Sequence, residues 1–261
     1  MSSTEDNTSV EARFTTLEHN LQSVQKELDN LASILPHPCP RLVAVSKTKP
    51  ASDIQALYDA GQRHFGENYL QELEGKVNTL PKDIRWHFIG GLQSNKCKSL
   101  ASLPGLWAVE TVDGAKKASL LSQYRSPDHP PLRVFLQVNT SEEEAKSGIL
   151  PGSDGQEIID LAKHVRDHCP RLLLAGIMTI GALDRSLKQG EENPDFSRLV
   201  TCRSQLAKAL GGGGHELELS MGMSSDYLQA GGGGATNVRV GSRIFGPRYY
   251  PGGGGSSSSS S

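Results

Sequence analysis

The chain has 261 residues, of which 36% are hydrophobic and 21% charged, a composition that suits an ordinary globular protein with a sizeable core. Its 27 Lys and Arg against 29 Asp and Glu leave a formal charge of −2, so there is no overall basic field to draw nucleic acid or an anionic membrane. Cys39, Cys97, Cys169 and Cys202 are scattered without a C-x-x-C pair, which argues against a zinc site or a disulfide framework and for reduced thiols in an intracellular protein.

In chain order, the polar and acidic start "MSSTEDNTSVEAR" lacks the basic, apolar pattern of a signal peptide, and no segment reaches membrane-spanning length. A cytoplasmic location is expected, with a mitochondrial pool as the alternative, and residues 1–14 read as a flexible leader. Next, "LEHNLQSVQKELDNLASIL" spaces Leu17, Leu21, Val24, Leu28, Leu31 and Ile34 at threes and fours, which predicts an amphipathic helix stopped by "PHPCP".

From there strand-like and helical stretches alternate. The strand candidates are "RLVAVS", "RHFGE", "RWHFIG", "LWAVE", "LRVFLQVN", "LLLAGIMTIG", "ELELSMG" and "NVRVGSRIFG". Eight strands separated by helices imply parallel pairing, because each return to the sheet needs a crossover. A closed (β/α)8 barrel over residues 15–248 with an extra N-terminal helix is the economical answer for a chain of this length. The competing doubly wound sheet would place a Gly-rich turn after its first strand, and "SKTKP" contains no glycine. Two glycine runs, Gly211–Gly214 and Gly231–Gly234, interrupt the last third, the second predicting a short or frayed helix after "SSDYLQA". The Gly/Ser tail, residues 249–261, is low-complexity and lies outside the predicted fold.

A parallel barrel works at the C-terminal ends of its strands, so the polar residues there carry the information. Lys47 ends the first strand, where an apolar mouth would destabilise its ammonium and make the amine a better nucleophile toward an aldehyde. A lysine snorkelling to solvent is the plainer alternative. The loops after strands seven and eight, "SMGMSSD" and "VGSRIFG", offer Ser224 and Ser225 at a helix start and Gly241 and Ser242 at a turn, a pattern suited to phosphate. In "NVRVG" the alternation puts Arg239 opposite Val238 and Val240; an inward arginine needs an acceptor, and the ring nitrogen of a heterocycle would serve.

A reactive lysine, a phosphate cradle and an arginine for a pyridine nitrogen describe a site for pyridoxal 5'-phosphate (PLP), with another phosphorylated ligand as the bland alternative. Seven ordered segments, "VAVSKTKP", "HFGENYLQE", "WHFIGGLQSNK", "VNTSEEEAKSGI", "GIMTIG", "LSMGMSSDYLQA" and "VRVGSRIFG", resemble the pyridoxal phosphate homeostasis protein family, the barrel type also found as the N-terminal domain of alanine racemase. The resemblance spans roughly residues 15 to 248. It implies a Schiff base between Lys47 and the cofactor, phosphate contacts from Ser224, Gly241 and Ser242, Arg239 at the pyridine nitrogen and Asn68 near the ring. His87, Asn139 and Met178 match family motifs as pocket-lining positions. The glycines at 231–234 depart from the family's mixed residues there.

An arginine at that nitrogen keeps it unprotonated and weakens the ring as an electron sink. Racemases of this barrel type draw a second base from an added β domain, for which eight counted strands leave no residues. The resemblance therefore implies a carrier that holds PLP and passes it to PLP-dependent apo-enzymes, with no catalytic residue of its own; a monomer is expected, since the added domain that supplies the usual racemase dimer partner is also missing. A racemase-type enzyme using Lys47 as its one base is the alternative.

Overall fold

The computed structural model describes residues 2–186, 192–212 and 217–247. The tail from residue 249 and part of the first glycine run lie outside them. Eight parallel strands close into one barrel in sequence order. They are β1 (Arg41–Val45), β2 (His64–Glu67), β3 (Arg85–Phe88), β4 (Leu106–Val112), β5 (Leu132–Gln137), β6 (Leu172–Met178), β7 (Glu218–Ser220) and β8 (Asn237–Val240). Around them run α1 (Ser2–Ala32), α2 (Ala51–Asp59), α3 (Leu70–Thr79), α4 (Cys97–Ala101), α5 (Ala115–Tyr124), α6 (Gln156–His168), α7 (Leu183–Ser186), α8 (Pro194–Ala209), α9 (Tyr227–Gly232) and α10 (Ser242–Phe245).

Strand alternation divides the side chains between two layers. Leu42 and Ala44 of β1 join the main core between barrel and helices, with Phe65, Trp86 and Leu106. The opposite face of β1 carries Arg41, Val43 and Val45 into the barrel, where Val43 and Val45 border Gly66 of β2. Closure comes from β1 against β8, with Val43 opposite Arg239 and Ala44 opposite Val240. That register fixes which β8 residues lie beside the end of β1.

At the N-terminal mouth the barrel is plugged by charge and aromatic surface. The guanidinium groups of Arg41 and Arg133 lie 4.7 and 4.6 Å from the Trp107 ring, and both reach Glu218. His64 adds an edge-on contact to Trp107 at 4.9 Å. Above this plug Ala108, Phe135, Ala175 and Met178 form a small apolar layer.

Three differences from the sequence expectation have physical causes. First, the boundary at residue 15 falls inside α1, because Arg13 pairs with Asp53 at 2.6 Å and donates to the Phe245 carbonyl at 2.9 Å. Leu17, Leu21, Val24 and Leu28 are buried as the spacing predicts, but Ile34 lies past the helix end and is 79% exposed. Second, "NVRVGSRIFG" is a four-residue strand followed after Gly241 by the helical turn α10, rather than one strand. Third, α7 has no counterpart in the sequence reading. The glycine-containing α9 is short, as expected, and sits tightly on α1: a Cβ at Gly231 would lie 2.6 Å from Leu31 Cδ2. No helix among the described residues is long and apolar enough to cross a membrane.

Candidate cofactor site

Lys47 follows β1 directly and is half-buried. Its neighbour Ser46 still belongs to the ladder, since its amide donates to the Gly66 carbonyl at 2.9 Å. Ser46 turns its hydroxyl outward to Glu67 Oε1 at 2.6 Å, which leaves Lys47 on the inward face shared by Val43 and Val45. The chain then turns sharply, with Thr48 at φ 62°, a conformation that costs a β-branched residue strain.

A buried ion cluster holds that turn from outside the barrel. Lys76 of α3 donates to Glu67 Oε1 at 2.6 Å and to the Ser46 carbonyl at 3.0 Å. Glu72, also bonded to Lys76, accepts the Thr48 amide at 2.8 Å. Residues on both sides of Lys47 are thus fixed by α3. Burial pushes the Glu67 carboxyl up, opposed by Lys76 and the Ser46 hydroxyl, and its Oε2 finds no protein partner.

Asn68 continues β2 beyond Glu67. The Asn68 backbone runs so close to Gly90 that a Cβ there would lie 2.0 Å from the Asn68 carbonyl oxygen, so only glycine fits. Asn68 Oδ1 is buried and without a protein partner, an acceptor left open at the end of β2.

Arg239 points into the barrel and is 4% exposed. It donates from Nη1 to Ser220 Oγ at 2.6 Å and from Nη2 to the Thr179 carbonyl at 2.8 Å. Burial lowers its proton affinity, while Glu110 with Oε2 at 3.9 Å pulls the other way. Since arginine starts far above neutrality, it stays charged. The structure brings Ser224 and Gly241 together: the Gly241 amide donates to Ser224 Oγ at 3.0 Å, joining the loops after β7 and β8. Ser242 is exposed and opens α10. Gly241 also packs on Val45, which puts this pair of loops beside the strand end that carries Lys47.

Helix α1 steadies the same loops from behind. Asn20 donates to the Ile244 carbonyl at 3.0 Å, Glu27 accepts from Arg243 at 2.7 Å, and the Tyr227 hydroxyl also donates to Glu27. Lys49 spans from the β1 turn to the Pro247 carbonyl at 3.0 Å.

The other motif positions divide. Met178 lies inside the barrel in its apolar layer. His87 is fully buried below the mouth, bonded to Glu110 and His64 rather than opening on the strand ends. Asn139 folds its own loop, donating to the carbonyls of Glu143 and Lys146. The sequence reading assigns no role to Ser220 and Glu67, which end their strands, and does not single out Glu110 or Lys76. A carboxylate inside the apolar run "LWAVETV" was the available signal for Glu110.

These donors fit PLP: an amine on the inner face, a charged guanidinium deeper in the barrel, an open amide acceptor, and small residues with a hydroxyl and backbone amides at adjoining loops. Lys47 could take the aldehyde, Arg239 the ring nitrogen, and the Ser224, Gly241 and Ser242 segment the phosphate.

Comparison with known proteins identifies the family. Residues 19–249 match the family model described as alanine racemase, N-terminal domain. A pyridoxal phosphate homeostasis protein of Caenorhabditis elegans is 48% identical over 246 residues, covering 88% of this chain and 98% of its own. PipY of Synechococcus elongatus, solved with PLP bound, superposes with a TM-score of 0.68 at 31% identity, over 88% of this chain and 100% of PipY. Alanine racemase of Corynebacterium glutamicum shares the fold at 17% identity and a TM-score of 0.62, with 92% of this chain matched to 63% of the racemase. The chain therefore belongs to the alanine racemase N-terminal domain family and, within it, to the pyridoxal phosphate homeostasis proteins.

Proposed function

We propose that this chain holds PLP reversibly on the Lys47 amine and releases it to PLP-dependent apo-enzymes, acting as a monomeric carrier rather than a catalyst. The observation that carries the reading is a charged, buried Arg239 on β8, beside the strand whose end presents Lys47 on the same inner face. When bound, PLP supplies an aldehyde and an electron-withdrawing ring.

The rest of the work belongs to the chain. Lys47 is presented by a turn clamped through Ser46 and Thr48. Asn68 offers its open Oδ1 at the neighbouring strand end. Ser224, Gly241 and Ser242 would hold the phosphate end, where the Gly241 amide bonds Ser224 Oγ and leaves the Ser224 hydroxyl proton to donate, and α1 keeps their loops in place. Arg239 would face the ring nitrogen as a donor that gives up no proton, which would keep that nitrogen unprotonated and the ring a weak electron sink. That favours holding over carbanion chemistry. The described strands form a single barrel, with no second sheet among the described residues to bring another base to the opposite face.

Absorbance of the purified protein with added PLP, before and after borohydride, followed by peptide mapping, tests the binding. A visible band that borohydride bleaches while fixing a pyridoxyl group on Lys47 is the expected result, absent in Lys47→Ala. A protein that gains no band overturns the reading. Transfer to an apo-enzyme, light scattering for the monomer, and a panel of D- and L-amino acids test the carrier role against an enzyme.

A further inference from the structure

We infer that Glu110 is a positioning residue for Arg239, acting through the Ser220 hydroxyl to aim the guanidinium at the cofactor's ring nitrogen; the inference rests on the PLP-binding reading above. Glu110 lies in β4, fully buried inside the barrel. Two arms of hydrogen bonds converge on its carboxylate, and Asn237 Nδ2 donates to it directly at 3.2 and 3.4 Å. On one side the Ser220 hydroxyl reaches Oε2 at 2.5 Å, and Ser220 Oγ receives Arg239 Nη1 at 2.6 Å and Asn237 Nδ2 at 2.9 Å. On the other, His87 Nδ1 meets Oε1 at 2.5 Å, and His87 Nε2 meets His64 Nδ1 at 2.9 Å.

The direction of the first arm follows from counting protons. A serine hydroxyl has one proton and two lone pairs. Asn237 and Arg239 can only donate at those distances, so both lone pairs are taken and the proton goes to Glu110. The carboxylate, a pure acceptor, thereby turns the lone pairs of Ser220 toward Arg239. In the second arm the same logic runs through neutral imidazoles: His64 donates Nδ1–H to His87, and His87 donates Nδ1–H to Glu110. Burial disfavours charge on His87, which suits this arrangement. Burial would also raise the Glu110 carboxyl, but the His87 bond, the Arg239 charge and the Ser220 hydroxyl outweigh it and hold the group ionised.

An amide in place of this carboxylate would reverse the first arm. With its oxygen toward His87, its NH2 would face Ser220 and donate, turning the hydroxyl proton against Arg239. The guanidinium would lose its side-chain anchor and keep the Thr179 carbonyl alone, leaving its aim at the ring nitrogen undefined.

The test compares the affinity of Glu110→Gln and Ser220→Ala for PLP and for its 1-deaza analogue, which has CH where PLP has the ring nitrogen. Wild type should prefer PLP. Both variants should lose about tenfold in PLP affinity while holding the analogue as tightly as wild type does, as expected for one charge-assisted hydrogen bond. The visible band of bound PLP should shift in both variants, as in Arg239→Lys. Equal losses for the two ligands, or unchanged affinities and spectrum, would overturn the inference. Ser220→Ala removes only a hydroxyl and keeps the test open if Glu110→Gln does not fold. Failure of wild type to bind PLP at all refutes the carrier reading instead.

Discussion

The two mouths of this barrel use buried charge in opposite ways. At the N-terminal mouth Arg41 and Arg133 stack on Trp107 and share Glu218, so that opposite charges face one another and one N–H, Arg133 Nε, is left over. At the C-terminal mouth the charges hold backbone in place: Lys76 and Glu72 grip the turn around Lys47, while Asn68 Oδ1 and Glu67 Oε2 stay unpartnered in the protein. The first arrangement closes a barrel. The second keeps acceptors and a strained turn at the C-terminal mouth, where parallel barrels bind ligands, which lowers stability locally and is offset by the packing around it.

The comparison can be broken at the N-terminal mouth first. Glu218→Ala strands two partly buried guanidinium groups and should lower the unfolding free energy by about 3 kcal/mol, read by urea denaturation. The position of the visible PLP band should not move. A moved band would mean that the two mouths are not independent.

Lys76→Met attacks the other mouth. It should cost about 2 kcal/mol of stability by leaving Glu67 unpaired, and about tenfold in PLP affinity by releasing the Ser46 carbonyl. An unchanged affinity would show that the turn holds Lys47 without α3.

Acid sharpens the contrast. Burial pushes the His64 imidazole from 6.5 down to about 2, and burial lowers His87 as well. Unfolded imidazoles take up protons as the pH falls through 6.5, whereas the folded ones do not, so the unfolded state binds more protons in the window from about 6.5 toward 2. Stability should be flat with respect to these groups above that window and should fall within it, by roughly 1.4 kcal/mol per pH unit at most for each histidine. His64→Phe should flatten the decline between pH 6 and pH 5 in urea titrations. An unaltered slope would place the acid sensitivity elsewhere.

The smallest effects concern α9. Gly232 has open space where a Cβ would go, so Gly232→Ala should raise stability by about 0.5 kcal/mol. Gly234 sits at φ 92°, and Gly234→Ala should lower stability by about 1 kcal/mol. Thermal unfolding checks both, and gains at both positions would mean that the helix end is remodelled.

Much of the fold was legible because each strand is a short apolar run between helical stretches. "RLVAVS" and "LRVFLQVN" announce themselves without tertiary information. Places where local pattern misleads are those decided by distant contacts. Arg13 and Phe14 lie in polar-looking sequence, yet Arg13 reaches Asp53 and the Phe245 carbonyl, and Phe14 packs on the core. The run through "RIF" looks strand-like, yet the chain turns helical at Gly241, where α10 packs on α1. Among the proposed site residues, Lys47, Asn68, Ser224, Arg239, Gly241 and Ser242 stand near or beyond strand ends and could be read from position. Ser220 also ends its strand and Glu110 stands out as a carboxylate in an apolar run, but the partners of these two and of Lys76 could not be read, because they lie on distant elements.

The sequence by itself determined the eight strand–helix units, the placement of Arg239 on the face opposite Val238 and Val240, and the family, because periodicity and ordered motifs are local properties of the chain. Tertiary structure alone decided that Gly241 meets Ser224 and that Lys76 grips Ser46. It also decided that Arg239 and His87 answer to one carboxylate. In the same network Glu110 and Asn237 lie 127 positions apart, and only barrel closure with its fixed register brings such residues within hydrogen-bond reach.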